Sequence, residues 1–181
     1  MTCACRRARR LTGIKRLPAA SSTLLAIKAK KETTLFKNIL VPTDGTALSA
    51  ASAREAVKFA KSVGAGITGF YAAPEYTIQV YGDFVPPDMV SPKEFTAITR
   101  KAAEKYLGII EKIASAAGVK YEGYFAKGDR PYVAIINAAK KKKCDLIFMA
   151  SHGRSGIAGL VLGSETTKVL THSKIPVLVH R

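Results

Sequence analysis

Residues Ile147–Ser164 read IFMASHGRSGIAGLVLGS: an apolar run that turns abruptly into a string with four glycines. The apolar part begins at Asp145 as DLIFMA, too short for a helix and with almost no polar residue to face water. That is the pattern of a strand buried on both faces, as in a parallel sheet. Glycine after such a strand serves a tight turn, close packing, or close approach of backbone to a ligand. Gly163-Ser164 then opens a helical segment running to about Ser173, and free N–H groups at a helix start favour an anion.

The same alternation extends in both directions. FKNILV (36–41) is a strand, punctuated at once by Pro42-Thr43-Asp44-Gly45. LSAASAREAVKFAKSV (48–63) has helical spacing, with Gly64 at the C-cap position. ITGFYAA (67–73) is a second strand, ended by Pro74. Residues 74–92 form a long aromatic and proline-bearing loop. A helix over 92–117 follows, with Ser91 as N-cap, Pro92 at N1 and Glu94 at N3. Its apolar stripe is read as Phe95, Ile98, Ala102, Tyr106, Ile109, Ile110 and Ile113. Val119–Ala126 is a third strand near an edge, 131–143 a helix, and Ile175–His180 a fifth strand. The order β-α-β-α-β-α-β-α-β predicts a doubly wound α/β domain: a five-stranded parallel sheet, order 3-2-1-4-5, with helices on both faces.

Composition bounds the rest. The chain has 181 residues, 48% of them hydrophobic, enough for one domain with a substantial core. Its 29 Lys and Arg against 13 Asp and Glu give a net charge of +16. Half of that excess, +8, sits in residues 1–32. Residues 1–34 are Arg-rich and nearly acid-free, and are read as a basic extension outside the fold, domain 35–181 being the folded body. The charge therefore says little about the body, and nucleic acid is not expected as its partner. Lys140–Lys143 suit a solvated helix end. No run reaches the ~20 apolar residues of a membrane span. Cys3, Cys5 and Cys144 have neither zinc-ligand nor disulfide-scaffold spacing, which suits a reducing cytoplasm.

In an open parallel sheet ligands collect beyond the carboxyl ends of strands where the strand order reverses. Strand order 3-2-1-4-5 puts the 42–45 loop and the 150–164 loop at that crevice. Gly153 permits close approach, Gly163 and Ser164 offer N–H and hydroxyl donors, and His152 and Arg154 are cations or donors for negative charge. Asp44 can accept from ribose hydroxyls or hold a metal-bound water. Each has a plainer reading: turn glycines, an N-cap serine, an Asx-turn aspartate, a solvated arginine. The chain lacks G-x-x-x-x-G-K-[ST], G-x-G-x-x-G after the first strand, and G-x-S-x-G, and no general base stands beside a nucleophile. Catalysis is not expected.

Three segments together, NILVPTDGT, DLIFMASHGRSGIAGLVLGSETTKVL and SKIPVLVHR, resemble the universal stress protein family, over Phe36–Arg181. The resemblance implies a Rossmann-like fold and a nucleotide loop of the form G-x-x-G, nine residues, G-[ST]. Laid on this sequence the second glycine is Gly153, the last pair is Gly163-Ser164, and Ala150 stands at the first glycine position. It further implies that Pro42, Thr43 and Asp44 line the adenosine of ATP, ADP or AMP, and that the backbone near Ala72 meets the adenine. Mg²⁺ would ride on the phosphates. Gly156 and Gly159 are left to the turn. A homodimer through the last strand, Pro176–His180, a cytoplasmic stress-response role and slow or no hydrolysis complete the expectation. The alternative is a partner-binding scaffold that takes no nucleotide.

Overall fold

The computed structural model describes residues 35–76, 91–152 and 162–181. The basic segment 1–34, most of the 74–92 loop and the glycines at 153, 156 and 159 lie outside them. Among the described residues five strands and four helices alternate: β1 (Asn38–Thr43), α1 (Ala47–Val63), β2 (Gly66–Ala73), α2 (Pro92–Ala117), β3 (Tyr121–Lys127), α3 (Pro131–Lys141), β4 (Leu146–Ala150), α4 (Ser164–His172) and β5 (Val177–His180). The strands form one sheet in the order β3-β2-β1-β4-β5. All four pairings are parallel.

The two-residue period of the strands sorts their apolar side chains into two cores. Ile39, Val41, Leu146 and Phe148 pack with Ala53, Val57, Ala60, Ile110 and Ala114 of α1 and α2. Leu40, Ile147, Met149 and Phe70 pack with Ile135, Ala138 and Ala139 of α3 and Val169 of α4. The sheet is thus covered on both faces, as the unbroken apolar run of β4 requires; all five β4 residues are buried. β3 and β5 are the two edges, and no residue of either is fully buried.

Local chemistry sets the element ends. Gly64 and Gly118 close α1 and α2 in the left-handed region, at φ 71° and 70°. Ser91 and Glu94 form a reciprocal capping box at the start of α2. The Ser91 hydroxyl and amide hold the Glu94 carboxyl below the usual carboxylate range. Asp145 accepts the amides of Lys37 (2.8 Å) and Asn38 (3.1 Å), joining the start of β1 to the turn before β4. The α3 helix stops at Lys141, two residues before the expected end, because Lys143 turns into the left-handed region at φ 52°.

The buried stripe of α2 differs from the one expected. Thr99, Ala103, Ile110 and Ala114 are buried, whereas Ile98 is 59% and Ile109 36% exposed. Of the expected stripe, Ile110 is buried and Tyr106 and Ile113 pack half-buried against the cores; the small residues Thr99, Ala103 and Ala114 complete the inner face in place of Ile98 and Ile109. Replacing Ile110 by Ala should cost about 2–5 kcal/mol. Ile98→Ala should stay within about 0.5 kcal/mol. Denaturant unfolding of the two variants checks this, and equal losses would contradict the observed face.

Candidate functional site

The order reversal lies between β1 and β4, so the chain leaves their carboxyl ends in opposite directions and opens a crevice there. β1 carries Pro42 and Thr43 as its last two residues, opposite Phe70 and Tyr71 of β2. They belong to the strand rather than to the loop. Ala72 follows on β2, level with Ala126 of β3. Ala150 ends β4, level with His180 of β5. Parallel register thus brings the predicted residues Pro42, Thr43, Ala72 and Ala150 to one pole.

The turn after β1 is built from hydroxyls. Asp44 Oδ1 accepts from both the amide (3.0 Å) and the hydroxyl (2.7 Å) of Thr46. Thr46 caps α1, its side chain accepting from the Ser49 amide at 3.2 Å. Thr43 Oγ1 lies 3.1 Å from Ser49 Oγ and accepts the Gly45 amide at 3.2 Å. Asp44 therefore does form the turn its plainer reading predicts, and its position beyond β1 is set by Thr46. Gly45 has φ +82°, and a Cβ there would stand 2.2 Å from the Tyr106 ring. Tyr106 in turn packs edge-on to Tyr71 at 5.3 Å. Only glycine satisfies both the conformation and the ring.

On the other side of the crevice two hydrogen bonds hold the start of α4. The Gly163 amide donates to the Ser151 carbonyl (2.8 Å), and Thr166 Oγ1 donates to the Ala150 carbonyl (3.1 Å). Ser151 is buried, and its own amide donates to the His180 carbonyl at 2.7 Å. Its hydroxyl lies 2.9 Å from His152 Nδ1. Gly163 is the N-cap and Ser164 the first helical residue, so Ser164 is not the capping residue of the plainer reading. Gly153 and Arg154 lie outside the described residues.

The four helix starts are not equivalent. Thr46 caps α1 and Ser91 caps α2. The α3 helix has no cap from its own N-cap residue, but Glu165 Oε2 accepts its Tyr132 amide at 2.9 Å. Among the described residues no side chain caps α4. Its start lies at the carboxyl pole, and beyond the Gly163 amide held by Ser151 its first-turn N–H groups and the positive end of its dipole are suited to phosphate. Among the described residues no three His, Cys, Asp or Glu side chains converge as a metal site, and no helix is long and apolar enough to cross a membrane. Cys144 is buried away from this pole, and burial pushes its thiol up to about 11 against the hydrogen bond to Thr68.

Fold and site together define an α/β protein with an anion-suited crevice at the switch point of a doubly wound sheet. Residues 35–181 match the family model described as "Universal stress protein family". The chain is 30% identical over 150 residues to Universal stress protein MJ0531 of Methanocaldococcus jannaschii, covering 80% of this chain and 82% of that one. It is 31% identical over 151 residues to Universal stress protein YxiE of Bacillus subtilis, covering 81% and 100%. The chain belongs to the universal stress protein family. Among solved structures, a universal stress protein in complex with cAMP superposes with a TM-score of 0.61 at 24% identity, covering 81% of this chain and 97% of that one. A universal stress protein from Archaeoglobus fulgidus in complex with dAMP gives 0.54 at 18%, covering 80% and 98%. An Arabidopsis thaliana family protein with AMP bound gives 0.55 at 14%, covering 79% and 90%.

Sequence reasoning missed Gly45, Ser151, Thr166 and Glu165 as parts of the site's frame. Gly45→Ala should destabilise the fold by about 2 kcal/mol or more, combining left-handed strain with a clash against Tyr106. Tyr106→Ala should recover only the clash part. Thermal unfolding of the single and double variants reads this; full recovery would show that conformation at residue 45 is not limiting.

Proposed function

We propose that this chain is an adenine-nucleotide-binding stress-response protein, cytoplasmic and homodimeric, in which ATP, ADP or AMP marks a signalling state and is hydrolysed slowly or not at all. The observation that carries this reading is the start of α4: of the four helices it alone lacks a side-chain cap among the described residues, and it stands at the switch-point crevice. The Ser164 amide and hydroxyl would receive the phosphates, the Gly163 amide being held by the Ser151 carbonyl, with Gly153, Arg154 and His152 on the loop before them. Pro42, Thr43 and Asp44 would line the adenosine, and the backbone near Ala72 would meet the adenine. Mg²⁺, where present, would be held by the phosphates. Family neighbours solved with cAMP, dAMP and AMP support an adenine nucleotide as the ligand class. The dimer would form through Pro176–His180, where β5 is a sheet edge left half-exposed.

A second reading, a partner-binding scaffold without nucleotide, rests on Ala150 at the first glycine position of the loop motif. Strain does not support it: Ala150 lies in a regular strand and has no positive φ. A methyl narrowing the crevice and the long aromatic loop at 74–92, most of it outside the described residues, remain its basis.

Calorimetric titration of the full chain with AMP, ADP and ATP tests the proposal. Binding is expected, and Ser164→Asp, which puts a carboxylate where phosphate would sit, should weaken it at least about tenfold while leaving the fold intact. Absence of binding at millimolar nucleotide would refute it. If Ala150→Gly alone then bound, the scaffold reading would take its place.

A further inference from the structure

The opposite pole of the sheet holds a groove that the nucleotide reading does not use. It has a volume of about 520 Å³ and lies where β1, β2 and β3 begin and α1 and α2 end. That volume is in the range of roughly 300–1,000 Å³ found for small-molecule sites. The floor is shallow-walled because small residues make it, Ala65 and Gly66 among them. Around the rim stand Lys37, Lys61 and Lys120. Glu122, the one acid lining the groove among the described residues, is already paired with Lys142. Among the described residues none of the three rim lysines forms an ion pair.

A helix end explains only one of these charges. Lys61 lies in the last turn of α1 and complements its dipole. Lys37 and Lys120 lie outside the helices, each one residue before a strand. The carbonyls of Ala60 and Ala114 are taken by capping amides, Gly64 and Ala65 on one, Gly118 and Val119 on the other. Among the described residues lining the groove the lysines outnumber the acid three to one. Three unpaired like charges around one concavity repel each other and attract an anion of matching charge. Lysine serves phosphate as a point charge and needs no fixed fork geometry.

We propose that this groove is a second binding site, for a small polyphosphorylated anion. It is separate from the crevice at the carboxyl pole by the length of the sheet, about 25 Å for the eight residues of β2. The two sites should fill independently.

Inorganic tripolyphosphate, titrated calorimetrically into the full chain with AMP at saturation, is the probe. Lys37→Gln/Lys61→Gln/Lys120→Gln should lower its affinity at least about tenfold, and raised salt should weaken wild-type binding. Lys140→Gln/Lys141→Gln/Lys143→Gln removes equal charge near the same pole but outside the groove, and should cost less than about threefold. AMP affinity and the melting temperature should be unchanged in both. The proposal fails if the wild type does not bind tripolyphosphate, if the groove variant retains its affinity, or if both variants lose equally. The last result would mean diffuse basic charge rather than a site. A chain that fails to bind AMP would count against the carboxyl-pole reading and leave this comparison intact.

Discussion

The carboxyl pole depends on where β4 hands the chain to α4. The Ser151 carbonyl takes the Gly163 amide and the Ala150 carbonyl takes the Thr166 hydroxyl. These bonds span 12 and 16 residues, so they fix the helix start on the sheet whatever path the chain between them takes. Ser151 is also bonded to His180 of β5 through its amide. One buried serine thereby ties together the last two strands and the last helix. Without that tie the N–H groups of α4 would have no defined direction, and a phosphate would meet a mobile dipole rather than a preorganised one.

Satisfaction of the other helix starts sharpens the same point. Buried or half-buried N–H groups at a helix terminus need partners. Here Glu165, in the first turn of α4, reaches across to α3 and accepts from Tyr132. That carboxylate, also paired with Lys168, keeps its charge in the first turn of α4 but accepts none of that helix's own N–H groups. A negative charge from outside is then the natural complement to α4, and the acceptors already in place at α1, α2 and α3 leave those helices less to offer a ligand.

The fold was legible in the sequence because its strongest signals are local. The apolar run LIFMA reads as a strand buried on both faces, and Gly64, Ser91, Glu94 and Gly118 announce their helix ends by residue type. The inner face of α2 was legible only in part: Ile110 was read correctly, but helical periodicity weights large apolar residues and the rest of the buried face is made of Thr99, Ala103 and Ala114. The placement of the candidate residues was legible in outline: Pro42, Thr43, Ala72 and Ala150 lie at the carboxyl ends of their strands. The frame around them was not. Ser151, Thr166 and Glu165 act through partners 12 to 33 residues away, and a single hydroxyl or carboxylate with a distant partner leaves no periodic trace. Gly45 looked like turn punctuation, and its need for glycine comes from Tyr106, which no local pattern connects to it.

Ala150 shows how far the family's motif can be carried onto this chain. A glycine in a nucleotide loop can serve conformation or space. Conformation is settled: residue 150 continues β4, is paired with His180, and adopts no positive φ. Alanine meets that requirement as well as glycine and with less entropy lost on folding. Space is what remains. One methyl at the mouth of the crevice, beside a carbonyl already committed to Thr166, changes the shape a ligand meets without moving the backbone that would bind it. The substitution therefore bears on the space beside the end of β4 more than on whether the helix start is held in place.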